Sequence, residues 1–268
     1  MVTARARVKF ATPARADGSH VTDANFTEDA ILGGRLRVRQ PARGYRVNLD
    51  TILLAAAVEA KPGARLMEAG CGIGAALLAV ALRTPDATLV GLERDANMAA
   101  IARENVALNA MSDRVEIVTG DALERSANWG VFDGVFFNPP FDEPGEGRAL
   151  AATRAYAHVT DAPIDTWVAA LADRLRGGAA LTLIHRAAKL ADILAAFEGR
   201  LGGVEIIPIH PHAGEPAKRI LARARKGSRA PLRLLPGLTL HDASGAKYAP
   251  DVEALLRGEG ELMWGGAR

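Results

Sequence analysis

Between Arg65 and Ala224, short apolar runs alternate with stretches of helical period. Arg65–Ala69, Thr88–Leu92, Arg114–Val118, Phe132–Phe137 and Ala179–Ile184 read as strands. Ala75–Leu82, Asp95–Asn109, Ile164–Leu175 and Ala187–Phe197 read as helices. Strands that are apolar on both faces need cover on both, which helices in alternation supply. The pattern therefore predicts an α/β fold around a doubly wound, mostly parallel sheet. Val204–Ile209 and Arg219–Ala224 follow with no helix between them, so they are expected to pair antiparallel at one edge and bring the sheet to seven strands.

The flanks are less regular. Residues 1–25 are polar, rich in Ala and Arg and without period, and a poorly ordered extension is expected over 1–30. A single domain is expected over 31–230, with an extension over 231–268 packed on it. Leu36–Arg39 alternates as a short edge strand would, and Asp50 is expected to cap a helix through Ala60, closed by Lys61-Pro62-Gly63. Ala243-Ser244-Gly245 reads as a turn and Pro250-Asp251 as a helix start.

Hydrophobic residues make up 49% of the 268 and charged residues 24%, as in ordinary globular chains. No apolar run reaches the ~18 residues of a membrane-spanning helix, and Met1–Ala16 lacks the apolar block of a signal peptide. Cys71 is the only cysteine, which excludes an internal disulfide and a cysteine-based zinc site and points to a reducing cytoplasm. The net charge is only +2 but unevenly spread. Ala217–Arg233 holds Lys218, Arg219, Arg223, Arg225, Lys226, Arg229 and Arg233 without an acid, and Ala30–Leu49 holds Arg35, Arg37, Arg39, Arg43 and Arg46, again without an acid. Such blocks attract phosphate backbones, or else pair with acids distant in sequence.

Glu68-Ala69-Gly70-Cys71-Gly72-Ile73-Gly74 joins the first core strand to a helix. Glycines there permit unusual backbone angles and close approach of a ligand, and the helix start adds free N–H donors. Glu93, with Arg94 after it, ends the second strand 19 residues beyond Gly74 and suits two ribose hydroxyls. Asp121 and Ala122 follow the third strand, where an acid can accept from an adenine amine. Glu93 and Asp121 also fit as caps of the helices behind them. An NAD-dependent oxidoreductase shares much of this loop. Against it, Glu68 is awkward beside a pyrophosphate but useful near a cationic methionine group, and Asp121 has no part in the dinucleotide pattern.

Asn138-Pro139-Pro140-Phe141 ends the strand Phe132–Phe137. Prolines cannot donate to a ladder and fix a rigid turn where the strand leaves the sheet. The turn presents an amide, backbone carbonyls and a flat ring, parts suited to gripping a planar base by its exocyclic amine. In a doubly wound sheet the first strand lies beside the strand that opens the second half, and ligands bind over their carboxyl ends. The glycine loop and the Asn138 turn should therefore face each other across one crevice.

This combination resembles the class I S-adenosylmethionine-dependent methyltransferases that act on amino groups, which carry a Glu/Asp-x-Gly-x-Gly-x-Gly loop and an Asn/Asp-Pro-Pro-aromatic turn. Gln40-Pro41-Ala42-Arg43-Gly44-Tyr45-Arg46, Asp50 and Leu53-Leu54 are further similar to the start of the bacterial valine-tRNA adenine-N6 methyltransferase family. The resemblance runs from about Ile31 to Ala224. It implies a Rossmann-like fold, S-adenosylmethionine as cofactor, and tRNA as partner. Glu68, Gly70, Cys71, Gly72, Gly74, Glu93, Arg94, Asp121 and Ala122 would surround the cofactor. The Asn138 side-chain oxygen and the Pro139 carbonyl would accept the two N–H bonds of the target amine, Pro140 would brace the turn, and Phe141 would stack on the base. Enzymes acting on RNA guanine N2 and on protein glutamine share the turn. The glutamine enzymes usually carry Tyr at the position of Phe141 and a helical N-terminal domain. A non-catalytic RNA-binding protein would have little need of both motifs intact.

Arg46 and Asp50 fit either the amino-acid end of the cofactor or, for Asp50, a helix cap. Cys71 reads as a packing residue, His210-Pro211-His212 as loop residues without metal-ligating companions, and His185 as a surface or capping residue. No metal is expected. Trp129, Trp167 and Trp264 read as packing residues. The acidic stretch Asp142–Asp161 is placed as a loop that closes over the target base without touching RNA phosphates.

Overall fold

A computed structural model describes residues 25–43, 46–139, 162–243 and 245–265. The expected closing loop 142–161, Pro140 and Phe141 lie outside the described residues, as does nearly all of the N-terminal extension.

The chain opens with a hairpin of β1 (Phe26–Ile31) and β2 (Leu36–Pro41), then α1 (Leu49–Ala57). Strands and helices then alternate: β3 (Arg65–Ala69), α2 (Ala75–Arg83), β4 (Thr88–Glu93), α3 (Ala96–Leu108), β5 (Val115–Thr119) and β6 (Phe132–Phe137). After α4 (Ile164–Ala172) come β7 (Leu175–Arg186), α5 (Leu190–Phe197), β8 (Leu201–His212) and β9 (Arg219–Lys226). The chain closes with β10 (Arg233–Leu234), β11 (Leu238–His241) and α6 (Pro250–Arg257).

The main sheet has nine strands in the order β10-β8-β9-β7-β6-β3-β4-β5, with β11 also paired to β8. The α/β class and the mostly parallel sheet are as expected, but among the described residues the sheet has nine strands and not seven. β8 and β9 pair antiparallel as anticipated, yet β9 is no edge strand: it sits between β7 and β8, antiparallel to both. β10 and β11 lie in line along the outer side of β8, so residues beyond 231 complete the sheet. Phe26–Ile31, which overlaps the stretch 1–30 expected to be poorly ordered, is strand β1. Leu36–Pro41 pairs with it in a separate hairpin and not at the edge of the main sheet.

One apolar layer packs α1, α2, α3 and α6 against one face of the sheet, and a second packs α4 and α5 against the other. The hairpin rests on α3 because two asparagines there mimic a strand edge. The Asn105 side chain accepts the Arg39 N–H at 2.6 Å and donates to the Arg39 carbonyl at 2.9 Å; Asn109 does the same for Arg37 at 3.0 and 2.7 Å. Asn48, and not Asp50, caps α1, accepting the Thr51 N–H at 3.1 Å.

The basic blocks are largely taken up inside the fold. Arg46 pairs with Asp29 at 2.8 Å, Arg39 with Glu104 at 3.5 Å, Arg37 with Glu28, and Arg35 donates to the Gly258 carbonyl at 2.6 Å. Arg219 pairs with Asp50 at 3.0 Å and Arg233 with Glu205 at 3.1 Å, while Lys226 donates to the Ala172 carbonyl at 2.9 Å. Arg223 is buried between Glu205 and Glu59, both at 2.6 Å, and lies 4.4 Å from the centre of the Trp264 ring. These arginines anchor the C-terminal segment and the hairpin. Arg46 and Asp50 are thereby assigned to ion pairs within the fold. Arg43, Lys218 and Arg229 remain exposed outside these pairs.

Candidate active site

Parallel pairing of β3 with β6 sets Ala69 opposite Phe137, so the two chain exits, Gly70 and Asn138, leave the sheet side by side. β4 and β5 continue the row on the other side of β3, setting Ala69 opposite Leu92 and Glu93 opposite Thr119. Glu68 to Gly74, Glu93, Arg94, Asp121, Ala122, Asn138 and Pro139 therefore all lie along the carboxyl ends of four adjacent strands.

The loop after β3 depends on its glycines. Gly70, Gly72 and Gly74 all have left-handed backbones, with φ of 70°, 55° and 80°. Side chains rarely adopt that region. The Gly70 and Cys71 N–H groups bond the Leu92 carbonyl at 2.8 and 3.0 Å, fastening the loop to β4. Glu93 fastens it again: Oε2 accepts the Gly72 N–H at 2.7 Å, and Oε1 accepts the Asp95 N–H at 2.8 Å. Asp95, not Glu93, caps α3, accepting from Asn97 and Met98 at 2.8 and 3.1 Å. Asp121 accepts the Leu123 N–H at 2.9 Å and faces Arg94 at 3.8 Å, so these two close the row at the β4–β5 end.

Two polar atoms in the row are buried without a partner: Oε2 of Glu68 and Oδ1 of Asn138. Unsatisfied buried acceptors are rare, and each costs roughly 1–3 kcal/mol. Burial, opposed by the Leu77 N–H and reinforced by the charge of Glu93, raises the Glu68 carboxyl well above its usual range. Burial raises Glu93 too, against the hydrogen bonds from Asp95 and Gly72. Cys71 is buried against Gly91, where a Cβ would fall 2.8 Å from its sulfur. Burial and the nearby Glu68 and Glu93 push its thiol well up, so it is a packing residue and no nucleophile.

Three residues near the row were read from sequence only as packing, surface or capping groups. Trp167 of α4 stacks on Phe137, rings 5.6 Å apart and 14° from parallel, and its ring edge lies 3.7 Å from where a Gly70 Cβ would stand. It thus spans the glycine loop and the strand that carries Asn138. Trp129 lies over Gly120 at the end of β5, so close that a Cβ there would fall 2.5 Å from the indole. The indole nitrogens of both are buried without a partner. Nothing in a sequence distinguishes a core Trp from one lining a crevice. His185, expected as a surface or capping residue, is buried at the end of β7, beside the exit of β6, and its Nδ1 accepts the Arg186 N–H at 2.8 Å. His210 and His212, expected in a loop, belong to β8. Among the described residues, no group of three His, Cys, Asp or Glu is placed to hold a metal ion, and no helix is long and apolar enough to cross a membrane.

A doubly wound sheet with a glycine loop and an Asn-Pro turn on adjacent carboxyl ends defines a class I S-adenosylmethionine-dependent methyltransferase. Comparison with known proteins agrees. Residues 45–162 match the methyltransferase small domain family model. A Porphyromonas gingivalis tRNA1(Val) (adenine(37)-N6)-methyltransferase is 29% identical over 81% of this chain and 89% of its own length. The Aeromonas salmonicida protein of the same name is 31% identical over 75% and 84%. A crystal structure from Agrobacterium tumefaciens, described as a predicted O-methyltransferase, is 32% identical, with a TM-score of 0.68 over 80% of this chain and 98% of that one. The chain belongs to the tRNA1(Val) (adenine(37)-N6)-methyltransferase family, and its cofactor is S-adenosylmethionine.

Proposed function

We propose that this enzyme methylates N6 of an unpaired adenine in the anticodon loop of a tRNA. The observation that carries the reading is the buried, unpartnered Oδ1 of Asn138 beside the glycine loop. Its family membership supports the same acceptor, because its relatives bear that name. A cytoplasmic location accords with such a substrate.

The residues present fit the cofactor. Gly70, Cys71, Gly72 and Gly74 line a loop whose left-handed glycines leave its backbone open to a ligand. The orphaned Glu68 oxygen suits a cationic amino group, and a protonated Glu68 still offers an acceptor. Each Glu93 oxygen accepts one backbone N–H and keeps a lone pair for a ribose hydroxyl. Asp121 and Ala122, with Arg94 bracing Asp121, border the place of the adenine. When bound, the cofactor supplies a methyl group activated by a cationic sulfur, so no metal is required.

The remaining work is to prepare the acceptor. An adenine amine is planar, its lone pair delocalised into the ring. Asn138 Oδ1 and the Pro139 carbonyl accept its two N–H bonds, which favours a pyramidal nitrogen with its lone pair aimed across the crevice. Both contacts strengthen as positive charge develops on nitrogen, which is where binding energy accelerates a reaction. Pro140 fixes the turn and Phe141 stacks on the base, roles that rest on the family pattern. An anticodon-loop base is already unpaired, so drawing it into the crevice costs little.

Asn138→Ala tests the reading. It should lower the methyl-transfer rate at least about 100-fold, as expected when one preorganised hydrogen-bonding group is lost, with S-adenosylhomocysteine affinity unchanged. Retained transfer, or equal loss of both properties, would remove Asn138 from the acceptor role.

A further inference from the structure

We infer that the carboxyl edge of the sheet beyond β7 holds a stacking platform for single-stranded RNA several nucleotides from the target base, formed by His212, His241 and Tyr248. The inference rests on the tRNA reading above and extends it to a second contact surface. His212 and His241 are the last residues of β8 and β11 and pair across the two strands. Their rings lie 5.1 Å apart and are tilted by 38°, while His241 stacks on Tyr248 at 5.4 Å, 17° from parallel. Three rings in sequence at a strand terminus bury little against the core: His212 is exposed, and His241 and Tyr248 are only partly covered.

The stack is held in place by backbone. His241 Nδ1 lies 2.5 Å from the Lys247 carbonyl, and the Ala249 N–H bonds the Leu240 carbonyl at 2.8 Å. A carbonyl only accepts, so the Nδ1 carries a proton and the ring is fixed in one orientation. A half-exposed pair of stacked rings tethered in this way suits base stacking because less conformational freedom is left to lose on binding.

Its position matches the proposed substrate. β8 is antiparallel to β9, which is antiparallel to β7, so β8 and β11 end on the same edge of the sheet as β6 and Asn138. Four strand spacings separate β6 from β11, about 19 Å at ~4.8 Å each, and the registers set His212 six residues beyond the level of Phe137, roughly 20 Å further along the strands at ~3.3 Å each, a span that a looped RNA strand covers in several nucleotides. The exposed Lys218 precedes β9 on the same edge, and Lys247 Nζ lies over the Tyr248 ring, 5.2 Å from its centre, so this edge carries cations for passing phosphates. Glu215, Asp242 and Asp251 are the acids nearest in sequence to the three rings.

The test measures affinity of the full-length protein for a valine-tRNA transcript, with calorimetry of S-adenosylhomocysteine as the check on folding. Tyr248→Ala should weaken tRNA binding by about 5- to 150-fold and leave the cofactor affinity unchanged, while Tyr248→Phe, which keeps a ring, restores it. Lys218→Glu, an exposed change that does not touch the rings, should weaken tRNA binding and flatten its salt dependence. Unchanged tRNA affinity in Tyr248→Ala, with a wild type that binds and methylates the tRNA, overturns the inference alone. A wild type that neither binds nor methylates tRNA overturns the functional reading, and this inference with it.

Discussion

The Glu93 carboxylate accepts the Gly72 N–H at 2.7 Å, so one side chain at the end of β4 holds the left-handed glycine loop at the end of β3. The same carboxylate is proposed to bind the ribose. Glu93→Ala should therefore weaken S-adenosylhomocysteine by about 1.5–3 kcal/mol, the range for charged hydrogen bonds. Glu93→Gln, which keeps one acceptor oxygen, should fall between. Calorimetry measures both, and an unchanged dissociation constant in Glu93→Ala would contradict the ribose role.

Glu68 is the clearest case of stability yielding to function. Its folded carboxyl titrates well above the ordinary value of 4.5 because it is buried. Stability from its protonated form is fully present below that ordinary value and is lost as pH rises through the raised one. Glu68→Gln removes the titration. Its melting temperature relative to wild type should rise between pH 5 and pH 8, by about 2–4 °C for each kcal/mol recovered, while cofactor affinity falls. Parallel melting curves across that range would show that Glu68 does not titrate as stated.

His185 works in the opposite direction. Burial first, then the charges of Arg186, Lys189 and Arg219, lower its imidazole from 6.5 to about 4. Between those values the unfolded chain takes up a proton that the fold refuses. Stability that is full above pH 6.5 is therefore lost as pH falls toward 4. His185→Gln should flatten the melting profile over that window, and an unaltered slope would contradict the assignment.

The crevice was legible in the sequence because it follows from order: a glycine loop after the first strand and an Asn-Pro turn after the strand beside it. Strand alternation places Gly70 next to Asn138 before any coordinate is known. The arginine blocks were not legible as structure. Their partners Asp29, Asp50, Glu59 and Glu205 lie elsewhere in the chain, or just outside the block, and a run of charge does not reveal what folds against it. The hairpin Phe26–Pro41 was only half visible, because its seat is made by Asn105 and Asn109, two side chains with no strand signal of their own. β10 and β11 hold only two and four residues, too short for an alternating pattern to register. Asp50 is the cap expected from the sequence, but the Thr51 N–H bonds Asn48, two residues earlier, a choice that a run of cap-forming side chains does not reveal.

The central claim is the acceptor. The most direct measurement is labelled-methyl transfer from S-adenosylmethionine to total bacterial tRNA, followed by nucleoside analysis. The predicted result is N6-methyladenosine from the wild type and none from Asn138→Ala. Label recovered as N2-methylguanosine, or only in protein, would contradict it.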